Sequence, residues 1–323
     1  MSVFTKINKS QLISIIADYD LGKLIEYRGI SEGIENSNFK LTTTKENYIL
    51  TIFERLDFST VEFYMQLLSD LHAHNLPIAN PITTVDNKFV TEFKNKPLAL
   101  VSFEEGEKIL TPTLDECFKT GVTLAKIHLF SYNYTPFIKN PKGYNWIIET
   151  IKKVSSLLTA NDKELINKFI NSYNANLELP SGIIHGDLFR DNILFFDGEI
   201  NAVIDFYFAG YDYFLFDLSI ALNDWAFDEE GNFLKDKESA LLDGYNSVKP
   251  LSEIEKVNFK NEKVRAALRF WVSRLDDLHF PRTGSLVHFH NPKRFQNIFK
   301  FRFINEFFQV LLDQQQAILH HCL

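Results

Sequence analysis

Cysteine is almost missing from this chain: Cys117 and Cys322 are the only two in 323 residues. That excludes the disulfide framework on which small secreted domains rely. Long apolar runs are missing as well. No stretch approaches the roughly eighteen apolar residues of a membrane span, and the N-terminus lacks the apolar core of a secretory signal. Nor is there an excess of positive charge, since 34 Lys and Arg stand against 42 Asp and Glu for a formal charge of -8. A broad nucleic-acid face would need the opposite balance. Internal repeats and low-complexity segments are also lacking. The expectation is a cytoplasmic, reduced protein with a small-molecule partner, no nucleic acid and no membrane. The ending His320-His321-Cys322 reads as a frayed terminus rather than a metal site.

What the chain does contain is enough apolar material for a large interior. Hydrophobic residues make up 45% and charged ones 24%, and phenylalanine alone contributes 31 copies. The length suits two domains, or two lobes sharing one cleft.

The most informative stretch is Ile184-His185-Gly186-Asp187-Leu188-Phe189-Arg190-Asp191-Asn192-Ile193-Leu194, with Val203-Ile204-Asp205-Phe206 beyond it. Two apolar runs flank Asp197-Gly198 between these motifs, a strong hairpin signal that folds Asp205 back beside Asn192. Phosphoryl transfer asks mainly for positioning and charge neutralisation. Asp187 is placed to accept a hydroxyl proton, while Asn192 and Asp205 offer one neutral and one anionic oxygen to a hard cation such as Mg2+. Singly, each of these residues reads as a turn former. Jointly they read as catalytic, with His185 orienting the loop and Arg190 the cation nearest the base in sequence.

Upstream, Ser10 caps an expected amphipathic helix that stops near Gly22. The segment Arg28 to Phe39 carries Gly29, Ser31, Gly33, Asn36, Ser37 and Asn38 just before two strand-like runs, 40–44 and 48–53. That fits a hairpin whose backbone N–H groups lean over phosphates, although glycines in a loop are more often simple turn formers. Ser59 to Glu62 reads as a capping box opening a helix with Val61, Met65, Leu68 and Leu71 on one face, and residues 88–103 as two further strands. A polar crossing at 104–107 places the boundary between residues 1–104, a nucleotide-binding lobe, and 105–323, a catalytic and substrate-binding lobe.

Thr113 to Glu116 is a second capping box, with Phe118, Val122, Ala125 and Leu129 as the apolar face of its helix and His128 as a core residue. Asp217 opens an apolar helix and reads as a brace for the catalytic loop. Asn223, Asp224 and Trp225 follow two turns later and, with Tyr207, are candidates to face the substrate. A third box at Ser252 to Glu255 starts a long helix whose Arg265 and Arg269 share a face. That stripe is either solvated or receives a substrate carboxylate, which Arg matches bidentately.

These residues resemble the aminoglycoside phosphotransferase and choline kinase superfamily, and within it the bacterial homoserine kinases. The resemblance rests on VFTKINKSQLISIIADYDLGKL at the start, RGISEGIENSNFKLTT, HGDLFRDNILF, VIDFYFAGYD, DLSIALNDWAF and LRFWVSRLDDLHFPRTGSLVHFHNPKRF, in order from residue 3 to about 295. It implies an α+β, bilobal protein-kinase-like fold with a small β-rich N-terminal lobe and a larger helical C-terminal lobe. It further implies ATP and Mg2+ as cofactors, and transfer of the γ-phosphate to L-homoserine on the way to threonine, by a monomer or homodimer. Carried over by position, Asp187 is the base, Asn192 and Asp205 hold Mg2+, and Asp217 braces the loop. One departure stands out. Where the kinase-like pattern expects a phosphate-binding lysine, this chain has Thr51, leaving Arg55, Arg28 and Arg190 as candidate cations. Two other readings remain open at this level: a choline-type kinase with a cage of Tyr207, Tyr211, Tyr213, Trp225 and Asp224, and a nucleotide-binding regulator without turnover.

Overall fold

The structure is a computed structural model that describes residues 5–30, 36–280 and 291–305. Helix α1 (Lys9–Ile16) leads into strands β1 (Leu24–Ile30), β2 (Ser37–Thr43) and β3 (Asn47–Ile52), then helix α2 (Phe58–Ala73) and strands β4 (Pro81–Ile82), β5 (Val90–Phe93) and β6 (Lys96–Ser102). These strands form one antiparallel sheet in the order β1-β2-β3-β6-β4, with β5 also on β6. The two-residue period of a strand sorts its faces. Phe39, Leu41, Leu50, Ile52, Leu98 and Leu100 pack with Leu12 and Ile16 of α1. The register sets Asn38 opposite Thr51 and Arg28 opposite Lys40, so Arg28, Asn38, Lys40 and Thr51 share the other face.

Both helix starts differ from the expected caps in the same way. Asn8 caps α1 and Asp57 caps α2, each accepting the backbone N–H three residues on. Ser10 and Ser59 instead donate their hydroxyls to those carbonyl and carboxylate oxygens, at 2.7 and 2.8 Å. An Asx side chain two residues earlier is the better acceptor, and the serine becomes its second donor.

The second half is mainly helical: strand β7 (Glu107–Lys108), helices α3 (Leu114–Ser131), α4 (Tyr144–Val154) and α5 (Ala160–Ser172), strands β8 (Ser181–Ile184), β9 (Ile193–Phe196), β10 (Glu199–Val203) and β11 (Gly210–Tyr213), then α6 (Phe214–Trp225), α7 (Lys235–Val248) and α8 (Glu253–His279). A last helical stretch covers residues 292–305. The β9–β10 hairpin turns at Asp197-Gly198, both left-handed, as the two-residue loop demands. The boxes at Thr113/Glu116 and Ser252/Glu255 are present.

The face of α3 is rotated from the expected one. Cys117, Thr120, Gly121, Leu124, Ala125, Ile127 and His128 are buried, while Phe118 and Leu129 are exposed. Small residues win because α3 and α7 touch backbone to backbone. A Cβ added to Gly244 of α7 would stand 2.0 Å from the Phe118 carbonyl oxygen, and one on Gly121 equally close to that of Leu241. Gly244→Ala is therefore expected to cost about 1–3 kcal/mol through overpacking, read as a lower urea midpoint.

Helix α6 is buried along its whole length. A helix enclosed on all sides lies in a protein interior, and this one carries Asp217, Asn223 and Asp224 beneath the loop that follows β8.

Candidate active site

The loop 185–192 leaves β8 with Gly186 at φ +77°, where an added Cβ would lie 2.8 Å from the Phe208 carbonyl oxygen. Only glycine fits that turn. Asp217 of α6 then pins the loop from below. Its carboxylate accepts the backbone N–H groups of His185 (2.8 Å) and Gly186 (2.9 Å) and meets Nε2 of His128 at 3.1 Å. Burial would push Asp217 up, but the His128 contact and these donors outweigh it and hold the carboxyl below its usual range. His128, whose Nδ1 meets the Tyr245 hydroxyl, is held low by burial.

His185 is a positioning residue. Fully buried, it spans the loop with Nε2 on the Ile204 carbonyl oxygen (2.9 Å) and Nδ1 accepting the Asp187 N–H (3.1 Å). That arrangement needs the neutral imidazole, and burial lowers the His185 pKa accordingly. The same bond to Ile204 ties the loop to Asp205, which adopts φ 64°. A left-handed aspartate carries of order 1–3 kcal/mol of strain, and such strain collects at functional sites.

Asp187 presents a carboxyl that is 20% exposed, with Nη1 of Arg269 at 3.4 Å. Burial pushes its pKa up, the Arg269 guanidinium pulls it down, and Asp205 and Asp191 push it up again, to about 7. Asn192 donates Nδ2 to the Asp187 carbonyl oxygen (2.8 Å), leaving Oδ1 as its oxygen donor. Asp205 is exposed. Among the described residues no group of three or more His, Cys, Asp and Glu side chains is arranged to hold a metal. One amide and one carboxylate oxygen do fit a cation completed by phosphate oxygens and water, as Mg2+ prefers.

Other candidates are placed elsewhere. Arg190 is committed: its N–H and Nε bond Asp224, Nη1 bonds the Leu110 carbonyl oxygen and Nη2 bonds Glu229. Asp224 is also gripped by Arg294, at 2.8 Å. Both Asn223 and Trp225 are buried: Asn223 bonds Arg302 and the Lys263 carbonyl oxygen, tying α6 to α8 and the last helical stretch, and Trp225 donates to the Leu188 carbonyl oxygen, supporting the loop. Arg265 is buried against Asp212 and Glu262, with its guanidinium over Phe216. The aromatic cage is not assembled: Trp225 and Asp224 are interior, and the Tyr213 hydroxyl donates to the Ala175 and Leu177 carbonyl oxygens.

In the sheet, Ser31 and Gly33 lie outside the described residues. Gly29 pairs with Phe39 in β1. Asn36 accepts the Glu54 N–H. Ser37 turns to the α1 side, donating to Glu54 and accepting the Thr5 N–H. Thr51 donates to Asn38 (2.9 Å) and bonds the Tyr207 hydroxyl, linking the sheet to the residue two beyond Asp205. Thr51→Val is expected to lower stability by about 1–2 kcal/mol by orphaning both partners, visible in urea unfolding. Arg28 and Lys40 are the cations on that sheet face, and Lys40 Nζ lies 3.4 Å over the Phe103 ring. The roles of His128, Arg294 and Arg302 had no sequence signature, because each is created by contacts with residues 64 or more positions away.

A family model described as the phosphotransferase enzyme family matches residues 26–251. With the aspartate-bearing loop between a sheet and a helical half, this makes the protein an ATP-dependent phosphotransferase. Solved structures share the fold: an amicoumacin kinase in complex with AMP-PNP and Ca2+ (TM-score 0.69, 16% identity, 92% of this chain and 93% of that one) and a choline kinase from Cryptosporidium parvum (0.61, 17%, 97% and 98%). Among curated proteins, homoserine kinase of Neisseria meningitidis serogroup B is 37% identical over 300 residues, 92% of this chain and 98% of that one. Homoserine kinase of Paraburkholderia xenovorans is 37% identical over 317 residues, 94% and 96%. The chain belongs to the homoserine kinase branch of this phosphotransferase family.

Proposed function

We propose that the chain transfers the γ-phosphoryl group of ATP to the hydroxyl of L-homoserine, forming O-phosphohomoserine on the way to threonine. The observation that carries this reading is its 37% identity to homoserine kinases across more than nine tenths of its length. Asp187 takes the hydroxyl proton as the oxygen attacks phosphorus. Asn192 Oδ1 and the Asp205 carboxylate hold Mg2+, whose positive charge adds to that of Arg269 in keeping Asp187 ionised. Residues 1–104 hold the nucleotide and 105–323 the acceptor. Arg28 and Lys40 supply the positive charge that a lysine at position 51 would otherwise bring, since they share the face of Thr51.

The test is ADP release over homoserine, choline, serine and an aminoglycoside. Homoserine should exceed the others in kcat/KM by ~100-fold or more, the scale that polar recognition reaches. Silence with homoserine and turnover with choline would overturn the reading, a result the dismantled aromatic cage argues against.

A further inference from the structure

The cations around the catalytic loop are almost all neutralised by fixed partners. Arg190 and Arg294 share Asp224, Arg265 has Asp212 and Glu262, Arg302 has Glu238, and Arg269 meets Asp187 itself. Arg274, one turn and a half beyond Arg269 on α8, differs. Among the described residues it makes no hydrogen bond or ion pair, and its guanidinium lies over the rings of Phe295 (4.7 Å) and Phe189 (5.9 Å). Phe189 belongs to the catalytic loop, two residues from Asp187. Its ring is fixed by Phe270 at 4.3 Å and by stacking on Phe295 at 5.6 Å, so the surface under Arg274 is rigid.

A guanidinium laid on aromatic faces keeps its N–H edges available for in-plane bonds to a planar anion. Burial lowers the Arg274 pKa to about 10, against the attraction of Asp224, Asp187 and Asp191. It therefore stays charged at neutral pH, a half-buried cation beside the base. A carboxylate matches the two-pronged geometry.

Resting on the acceptor assignment above, we infer that Arg274 binds the carboxylate of the amino-acid acceptor and thereby sets the specificity for acceptors that carry one. Arg269 then serves the base, and Arg274 the remote end of the substrate. The other anion within reach of such a site is a nucleotide phosphate, and kinetics separate the two.

Wild type, Arg274→Ala and Arg274→Lys are compared by ADP release with L-homoserine and with 2-amino-1,4-butanediol, in which a hydroxymethyl group replaces the carboxylate. Circular dichroism and thermal melting establish that each variant is folded. In Arg274→Ala the homoserine KM should rise about 10- to 100-fold, the range of a lost hydrogen bond to a charged group. The ATP KM and the kcat/KM for the diol should stay within about twofold of wild type, because neither involves the carboxylate. Arg274→Lys should recover part of the loss. A raised ATP KM with homoserine KM unchanged would assign Arg274 to the nucleotide and overturn the inference, as would equal losses on both acceptors. If wild type does not turn over homoserine, the acceptor assignment itself fails. If it does and Arg274→Ala leaves the homoserine KM unmoved, only the role of Arg274 fails.

Discussion

Asp187→Asn is expected to reduce kcat by roughly 10^3-fold, within the range of a lost general base, while the fold stays intact. The substitution is nearly isosteric, and the bond that holds Asn192 uses the Asp187 backbone carbonyl oxygen, which the change leaves alone. His185 likewise accepts the backbone N–H of residue 187. What disappears is the carboxylate proposed to take the acceptor proton. ADP release under saturating substrates, with thermal melting as the control, decides the matter, and retention of most activity would refute the role of Asp187 as base.

Removing Asp217 should hurt both stability and turnover. Asp217→Ala strands two buried backbone N–H groups and the ring nitrogen of His128, in a region with no access to water. Unmet buried hydrogen-bonding groups cost about 1–3 kcal/mol each, and Asp217→Ala leaves several of them. A loss of that order is expected in urea unfolding, together with a drop in kcat, because the freed N–H groups belong to His185 and Gly186 at the root of the loop. An unfolding midpoint equal to that of wild type would sink the assignment of Asp217 as the brace.

The same network limits stability in acid. The Asp217 pKa is lowered on folding, so its contribution is complete above the ordinary carboxylate value and is lost as pH falls through the folded value. His128 and His185 are also lowered from 6.5 by burial, so the unfolded chain takes up their protons first as pH falls below that value. Between pH 8 and pH 5 the two histidines therefore favour the unfolded chain, while Asp187, raised to about 7, binds its proton first in the folded chain and opposes them. The urea midpoint of Asp187→Asn, which lacks that opposing group, should fall more steeply from pH 8 to pH 5 than that of wild type.

How much was legible in the sequence depends on the range of the contacts. The β9–β10 hairpin was readable because Asp197-Gly198 supplies the turn conformation within two residues. The Thr113 and Ser252 boxes were readable because a box closes within four. The caps at Asn8 and Asp57 were misplaced by two residues, since a serine is itself a favoured cap residue, and Ser59 with Glu62 even has the spacing of a box, yet the Asx residue upstream is the stronger acceptor. The face of α3 was misread because its contact with α7 is made by glycine and small residues, which hydrophobic spacing passes over.

By itself, the sequence determined the local frame of the candidate site: His185-Gly186-Asp187, Asn192 and Asp205 lie close along the chain, and short connections tie their segments together through local turns. Only the tertiary structure decided which charges are neutralised and by what. Arg265, Arg269 and Arg274 lie on one helix and are indistinguishable as residue types, yet Asp212 neutralises the first, Asp187 meets the second, and the third lies on Phe189 and Phe295. Asp224 was in the same position, a free acid in the sequence and a doubly paired one in the fold. The physical reason is that a charge in a protein interior is defined by its partner, and these partners come from segments that only folding brings together.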